Sequence, residues 1–185
     1  YFQGMFAFAR VKALAPKHPE WRAQQPFKGV LDDDMKAVAA SGEQGLLKIL
    51  AGTHAGMTTD EFDRTVRDWI AGSKHPRFQR PYTELVYQPM LEVLAYLRAN
   101  GFKTYIVAGW GVDFIRVFAE QVYGIPPEQV VGSVAETRLE VRDGTPVLVK
   151  LPKLNLVDDK AGKPVGIHQV NGRRPTIAFG NSDRE

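Results

Sequence analysis

Ile106-Val107-Ala108-Gly109-Trp110-Gly111-Val112-Asp113-Phe114 is the stretch whose reading decides the fold. Tyr105-Ile106-Val107 has the β-branched and aromatic make-up of a short buried strand. Two glycines follow. Then Val112 to Tyr123 reads as an amphipathic helix, closed by Gly124. Strand, glycine turn and helix in this order aim backbone N–H groups and the positive end of a helix dipole at one spot. Such a spot suits an anion. The residue readings leave open a plain alternative, that Gly109 and Gly111 only permit a tight turn.

Two later stretches complete the pattern. Asp158-Asp159-Lys160-Ala161-Gly162-Lys163-Pro164 brings lysines to a helix start, with Pro164 opening the helix. Thr176-Ile177-Ala178-Phe179 reads as a further strand, running into the polar loop Gly180-Asn181-Ser182-Asp183. Between them, Val130-Val131 starts a strand. Leu139 to Arg142 and Pro146 to Val149 flank Asp143-Gly144-Thr145, a hairpin signal. Helix alternating with strand predicts a parallel α/β core over residues 88–185, preceded by Pro89, Met90, Leu91, Leu94 and Leu97 at helical spacing.

Residues 5–87 read as helical. Phe6 to Leu14 is an apolar helix or turn stopped by Pro16 and Pro19. Asp32-Asp33-Asp34 precedes the helix from Met35 to Ala40. Ser41-x-x-Gln44 and Thr58-x-x-Glu61 match the capping box. The second opens a helix with Phe62, Val66, Trp69 and Ile70 on one face, ended by Gly72.

Composition sets bounds on function. With 24 basic and 21 acidic residues the charge is too even for a nucleic-acid surface. The absence of cysteine excludes disulfides and thiolate metal sites and fits the cytoplasm. No apolar run reaches the ~20 residues of a membrane span, so neither nucleic acid nor membrane is expected as a partner. Tyr1-Phe2-Gln3-Gly4 looks like the remnant of a cleavable expression tag, which puts the natural start at Met5.

The three stretches together resemble motifs two, three and four of the haloacid dehalogenase superfamily, in its phosphoserine-phosphatase-like branch. The resemblance implies a Rossmann-like core over 88–185 and a helical cap over 5–87. It also implies a first motif, Asp-x-Asp, on a strand before all of these. No Asp-x-Asp closes a strand upstream of residue 30. Asp32, Asp33 and Asp34 lie in the cap region, at a helix start. The expected fold is therefore a truncated core whose parallel sheet lacks its first strand, with a β-hairpin and a helical cap.

The resemblance also assigns roles. The Ala108, Gly109, Trp110 and Gly111 turn binds phosphate, although Ala108 stands where the family has a serine or threonine hydroxyl. Lys163, with Lys160 as the alternative, neutralises the phosphoryl group. Asp183 and Asn181 belong to the loop that holds a divalent metal, Mg2+ by family and Mn2+ or Zn2+ as options. Asp159 is a further candidate ligand. His54, in the stretch Thr53-His54-Ala55-Gly56-Met57, is another, expected on a cap loop. No His-x-x-x-His spacing supports a dedicated metal site.

The missing aspartyl nucleophile leaves three expectations. The first is a metal-dependent hydrolase of phosphate mono-, di- or triesters in which water attacks. The second is an inactive remnant that binds a phosphorylated ligand or a partner. The third is a fragment of a longer phosphatase. Loss of a central strand also predicts a homodimer, with exchange of the apolar N-terminal segment Met5 to Ala9 or of the cap, because exposed strand edges invite pairing.

Overall fold

The structure is a computed structural model that describes residues 2–180. It divides into two compact units. One holds the chain up to Phe62 together with Ala135–Lys153; the other holds Asp63–Val134 together with the chain from Leu154 onward. This division differs from the expected boundary at 87/88. Residues 63–87 join the sheet-bearing unit, and the hairpin joins the N-terminal helices.

The first unit is helical for most of its length. Helix α1 spans Phe2–Leu14, and two single 3-10 turns follow where Pro16 and Pro19 remove backbone donors. Then come α2 (Phe27–Leu31), α3 (Met35–Ala40) and α4 (Gly42–His54). Ala7, Val11, Trp21, Phe27, Val30 and Ile49 form its core, with the Trp21 and Phe27 rings stacked at 4.3 Å. Gln3 and Gly4 are buried within α1, which takes in the described tag-like residues. Phe6 and Ala7 are fully buried in the same helix.

Capping follows the sequence in two places of three. The Asp34 carboxylate accepts from the N–H groups of Lys36 and Ala37, each at 3.1 Å. Thr58 and Glu61 form the reciprocal box: Thr58 N–H donates to Glu61 Oε2 at 2.7 Å and Glu61 N–H to Thr58 Oγ1 at 3.1 Å. That box opens α5, Thr59–Gly72, which carries the chain into the second unit. Ser41 departs from expectation. It ends α3 as well as preceding α4, its backbone stays helical at φ −72° and ψ −11° rather than taking the extended N-cap conformation, and its hydroxyl donates back to the Ala37 carbonyl at 3.1 Å instead of capping α4.

The second unit contains α6 (Gln88–Ala99), β1 (Ile106–Gly111), α7 (Val112–Tyr123), the start of β2 (Val130–Arg142), the end of β3 (Thr145–Leu156) and α8 (Gly162–Asn171). The sheet order is β1-β2-β3. Strands β1 and β2 run parallel, with Ile106 opposite Val130 and Ala108 opposite Gly132. Phe114, Ile115, Val117, Phe118 and Ala119 are buried along α7, and Ile125, Val130 and Val131 are buried in the segment that follows it. Asp143 and Gly144 turn β2 into β3 at φ of 51° and 78°, the left-handed pair that a two-residue hairpin requires. The fold is thus mixed α/β with a parallel strand pair, a long hairpin and a helical N-terminal part. No helix among the described residues is long and apolar enough to cross a membrane.

One expected strand is missing. Thr176 to Phe179 is not in a ladder, and Ile177 and Phe179 are 52% and 60% exposed. A strand needs a neighbour to take up its N–H and C=O groups. Among the described residues β1 pairs with β2 alone, so its other edge stands open.

Candidate functional site

The glycine turn is a bulge within β1. Pairing with β2 jumps from Ala108↔Gly132 to Gly111↔Ser133, which leaves Gly109 and Trp110 out of register. Bulges bend a strand and re-aim its backbone, often beside functional sites. Gly132 makes this one possible: a Cβ there would sit 2.7 Å from the Trp110 carbonyl oxygen and 3.1 Å from the Val112 backbone. Helix α7 begins directly after Gly111, which has no side chain to cap it.

Ser133 ties the bulge to the loop before α8. Its hydroxyl donates to the Gly109 carbonyl at 2.8 Å and accepts from the Asp158 N–H at 2.9 Å. Asp158 is fully buried, and neither of its carboxylate oxygens has a hydrogen-bond partner among the described residues. Burial pushes its carboxyl above the usual carboxylate range. The Lys163 ammonium and the Ala108 backbone pull it back, and Asp159 adds to the rise. Lys163 is itself buried, in the first turn of α8. The Asp159 side chain lies against Gly109, with Oδ1 3.5 Å from where a Cβ would stand.

The bulge, Lys163 and the Asp158–Asp159 pair therefore meet in one place. Keeping an ammonium and a carboxyl out of water costs several kcal/mol per ion unless each is compensated. A site that retains both is suited to hold a charged ligand. Gly166 is a second condition of this geometry, because a Cβ on it would overlap Asp158 Oδ1 and come within 2.9 Å of Val131 Cγ1. Gly166→Ala is expected to destabilise the chain by about 1–3 kcal/mol, measured by urea unfolding. A loss near zero would mean that the Asp158 carboxyl is free to move aside.

No family model matches the chain, and no curated protein matches it. Solved structures do. A protein of unknown function from Bordetella pertussis Tohama I aligns with a TM-score of 0.52 at 18% identity, over 89% of this chain and 65% of that one. A conserved, functionally unknown protein from Anaerococcus prevotii DSM 20548 aligns with a TM-score of 0.46 at 20% identity, over 71% of this chain and 37% of that one. The fold is Rossmann-like. The chain spans less than two thirds of the length of either protein, and the likeness to the Bordetella pertussis protein extends to fold alone.

The predicted residues separate in space. Ala108, Gly109, Trp110 and Gly111 lie together at the end of β1, as expected, in a bulged strand rather than a turn. Of the two lysines, Lys163 faces Asp158, whereas Lys160 is exposed at a φ of 49°. Asn181 and Asp183 lie outside the described residues. His54 is not on an open loop. It ends α4 in the first unit, 7% exposed, stacked on Phe6 at 5.5 Å and edge-on to Phe62 at 4.9 Å. Burial, then Lys150 and Arg10, push its imidazole down to about 3. Among the described residues no group of three or more His, Asp or Glu side chains is placed to hold a metal. Asp158, Ser133, Gly132 and Gly166 carry no assigned role in the sequence pattern, yet all four shape the site. Ser133 carried the one usable signal, a lone hydroxyl in the apolar run Val130-Val131-Gly132-Ser133-Val134.

Proposed function

We propose that the second unit binds a phosphorylated small molecule at the β1 bulge and Lys163, and that the chain hydrolyses its phosphate ester with water as the attacking group. The observation that carries this reading is a buried lysine, Lys163, whose charge acts on the buried Asp158 carboxyl beside a glycine bulge. A dianionic phosphoryl group matches a cation plus backbone donors. The haloacid dehalogenase-like phosphatase resemblance is part of the same reading, as are a cytoplasmic location and a homodimeric state.

That resemblance implies a divalent cation. The orphaned, buried oxygens of Asp158 next to Asp159 are hard donors of the kind that Mg2+ or Mn2+ takes. Asp158 and Asp159 would hold it, and the resemblance adds Asp183 and Asn181, which lie outside the described residues. Bound there, a divalent cation supplies a water acidic enough to attack at neutral pH. Lys163 orients the ester, and the bulge backbone fixes its phosphoryl oxygens.

A second reading has its own support. The bulge offers Ala108, Gly109, Trp110 and Gly111, none with a nucleophilic side chain. A site of backbone donors and one lysine serves a binding module equally well. Hydrolysis of mono-, di- and triester substrates with Mg2+, Mn2+ or Zn2+ added separates the two. We expect metal-dependent turnover without a covalent phospho-enzyme. Turnover that survives exhaustive chelation contradicts the metal dependence, and a trapped phospho-aspartate contradicts direct attack by water. Phosphate binding without turnover supports the binding module.

A further inference from the structure

We infer that the first unit holds a binding site of its own, for a small organic carboxylate, built from Arg10, His54 and Lys150. It draws on none of the residues of the β1 bulge. Arg10 sits on α1, one helical turn after Phe6. His54 ends α4, and Lys150 lies on β3. Aromatic rings bring the three together. The imidazole stacks on Phe6 and meets Phe62 edge-on. Lys150 Nζ stands 4.7 Å from the centre of the same Phe62 ring. Two backbone bonds lock β3 to the loop after α4. Gly56 N–H donates to the Lys150 carbonyl at 2.9 Å, and Lys150 N–H to the Met57 carbonyl at 2.8 Å.

The second observation is unmet hydrogen-bonding demand. His54 Nε2 is buried with no partner among the described residues, and Arg10 Nε is in the same condition. Among those residues the Arg10 guanidinium has the Met57 thioether as its acceptor, 3.8 Å from Nη2. A thioether is a weak acceptor, whereas a guanidinium offers five N–H donors. Burial holds Arg10 below its ordinary value, with no described carboxylate acting the other way. The charges of Lys150 and Arg10 both bear on the imidazole. Two cations gathered around orphaned buried nitrogens are costly to keep and are compensated when an anion arrives.

The chemistry of these groups selects the ligand. The planar fork of an arginine matches a carboxylate through two parallel bonds. The imidazole, as its Nε2–H tautomer, adds a third donor, and Lys150 adds charge. Phe6 and Phe62 are buried and give the site apolar walls. A monoanion with an apolar body suits both features. A phosphate dianion would lose much more hydration against the same walls. Arg10 and Met57 are half-buried, so entry is from their side, and the carboxylate takes the place of the thioether on Arg10.

Benzoate is the probe, with benzamide as its neutral counterpart of similar shape. In the unsubstituted chain labelled with 13C-methyl methionine, benzoate is expected to shift the Met57 methyl saturably and to leave the exposed methyls of Met35 and Met90 unmoved. Benzamide is expected to move none of them. Inorganic phosphate is expected to leave Met57 in place, which separates this site from the one at the β1 bulge. No saturable shift of Met57 up to millimolar benzoate overturns the inference. An equal shift with benzamide also overturns it, by showing apolar filling without recognition of charge, and a phosphate shift at Met57 contradicts the carboxylate assignment. Arg10→Lys keeps the charge and loses the fork, so benzoate affinity should fall at least about tenfold. Undiminished affinity contradicts the inference. If that variant does not fold, the comparison of benzoate with benzamide on the unsubstituted chain decides.

Discussion

Lys163→Met is expected to cost about 3 kcal/mol of folding stability and to remove inhibition by inorganic phosphate. Asp158 is fully buried with both carboxylate oxygens unpartnered, and the Lys163 ammonium is the positive charge that acts on it. Taking away one member of a buried charge pair strands the other in a low dielectric, which is the expensive way to break it. Removing both is cheaper. Asp158→Asn/Lys163→Met should recover most of the lost stability, because neutral groups of similar size carry no such penalty. Urea unfolding of the four proteins measures this. If the single and double variants lose the same amount, the two groups are not coupled. Phosphate inhibition should stay lost in the double variant, since stability returns without the ammonium that the ligand needs. A double variant that regains phosphate inhibition would make the pair purely structural.

The second large effect is on acid stability, and it belongs to His54. Its folded pKa lies near 3 against an ordinary value of 6.5. Between those values the unfolded chain takes up a proton that the folded chain refuses. Stability therefore rises with pH through this window, is fully present above 6.5 and is lost as pH falls towards 3. The loss is on the order of 4 kcal/mol. Its cause is the site: the ring sits between Phe6 and Phe62, out of water, with Lys150 and Arg10 adding positive charge. His54→Phe keeps an aromatic ring in the stack and removes the proton. Its stability curve should diverge from that of the unsubstituted chain below pH 6.5, with the variant the more stable at pH 4. Parallel curves would show that the imidazole titrates normally.

His54 also shows where the sequence stops being legible. A histidine near Gly56 reads as a loop ligand, because nothing local says that α4 runs on to residue 54 or that Phe6 lies against it. That contact is set by tertiary packing across the first unit. Local chemistry was readable where neighbours in sequence supply it. The Thr58–Glu61 box, the Asp143-Gly144 turn and the Gly124 cap each follow from a few adjacent residues. The Ala108–Gly111 and Lys163 stretches are close together because strand, helix and loop alternate, and that alternation was visible. Thr176–Phe179 failed for the opposite reason. Strand propensity is a demand for a partner, and the partner is not encoded in the segment. Asp158 was hidden by its neighbours. Two adjacent aspartates look solvated, and only Gly166 on the facing helix leaves room for one of them to be buried.

The central claim is an anion site at the β1 bulge and Lys163. Titration of inorganic phosphate into the 15N-labelled, unsubstituted chain, followed by amide chemical shifts, tests it without any variant. The account predicts saturable shifts at Gly109, Trp110, Gly111 and Lys163, with the amides of Ala7, Val11 and Ile49 in the first-unit core unmoved. Saturable shifts confined to other residues, or none up to millimolar phosphate, would contradict it.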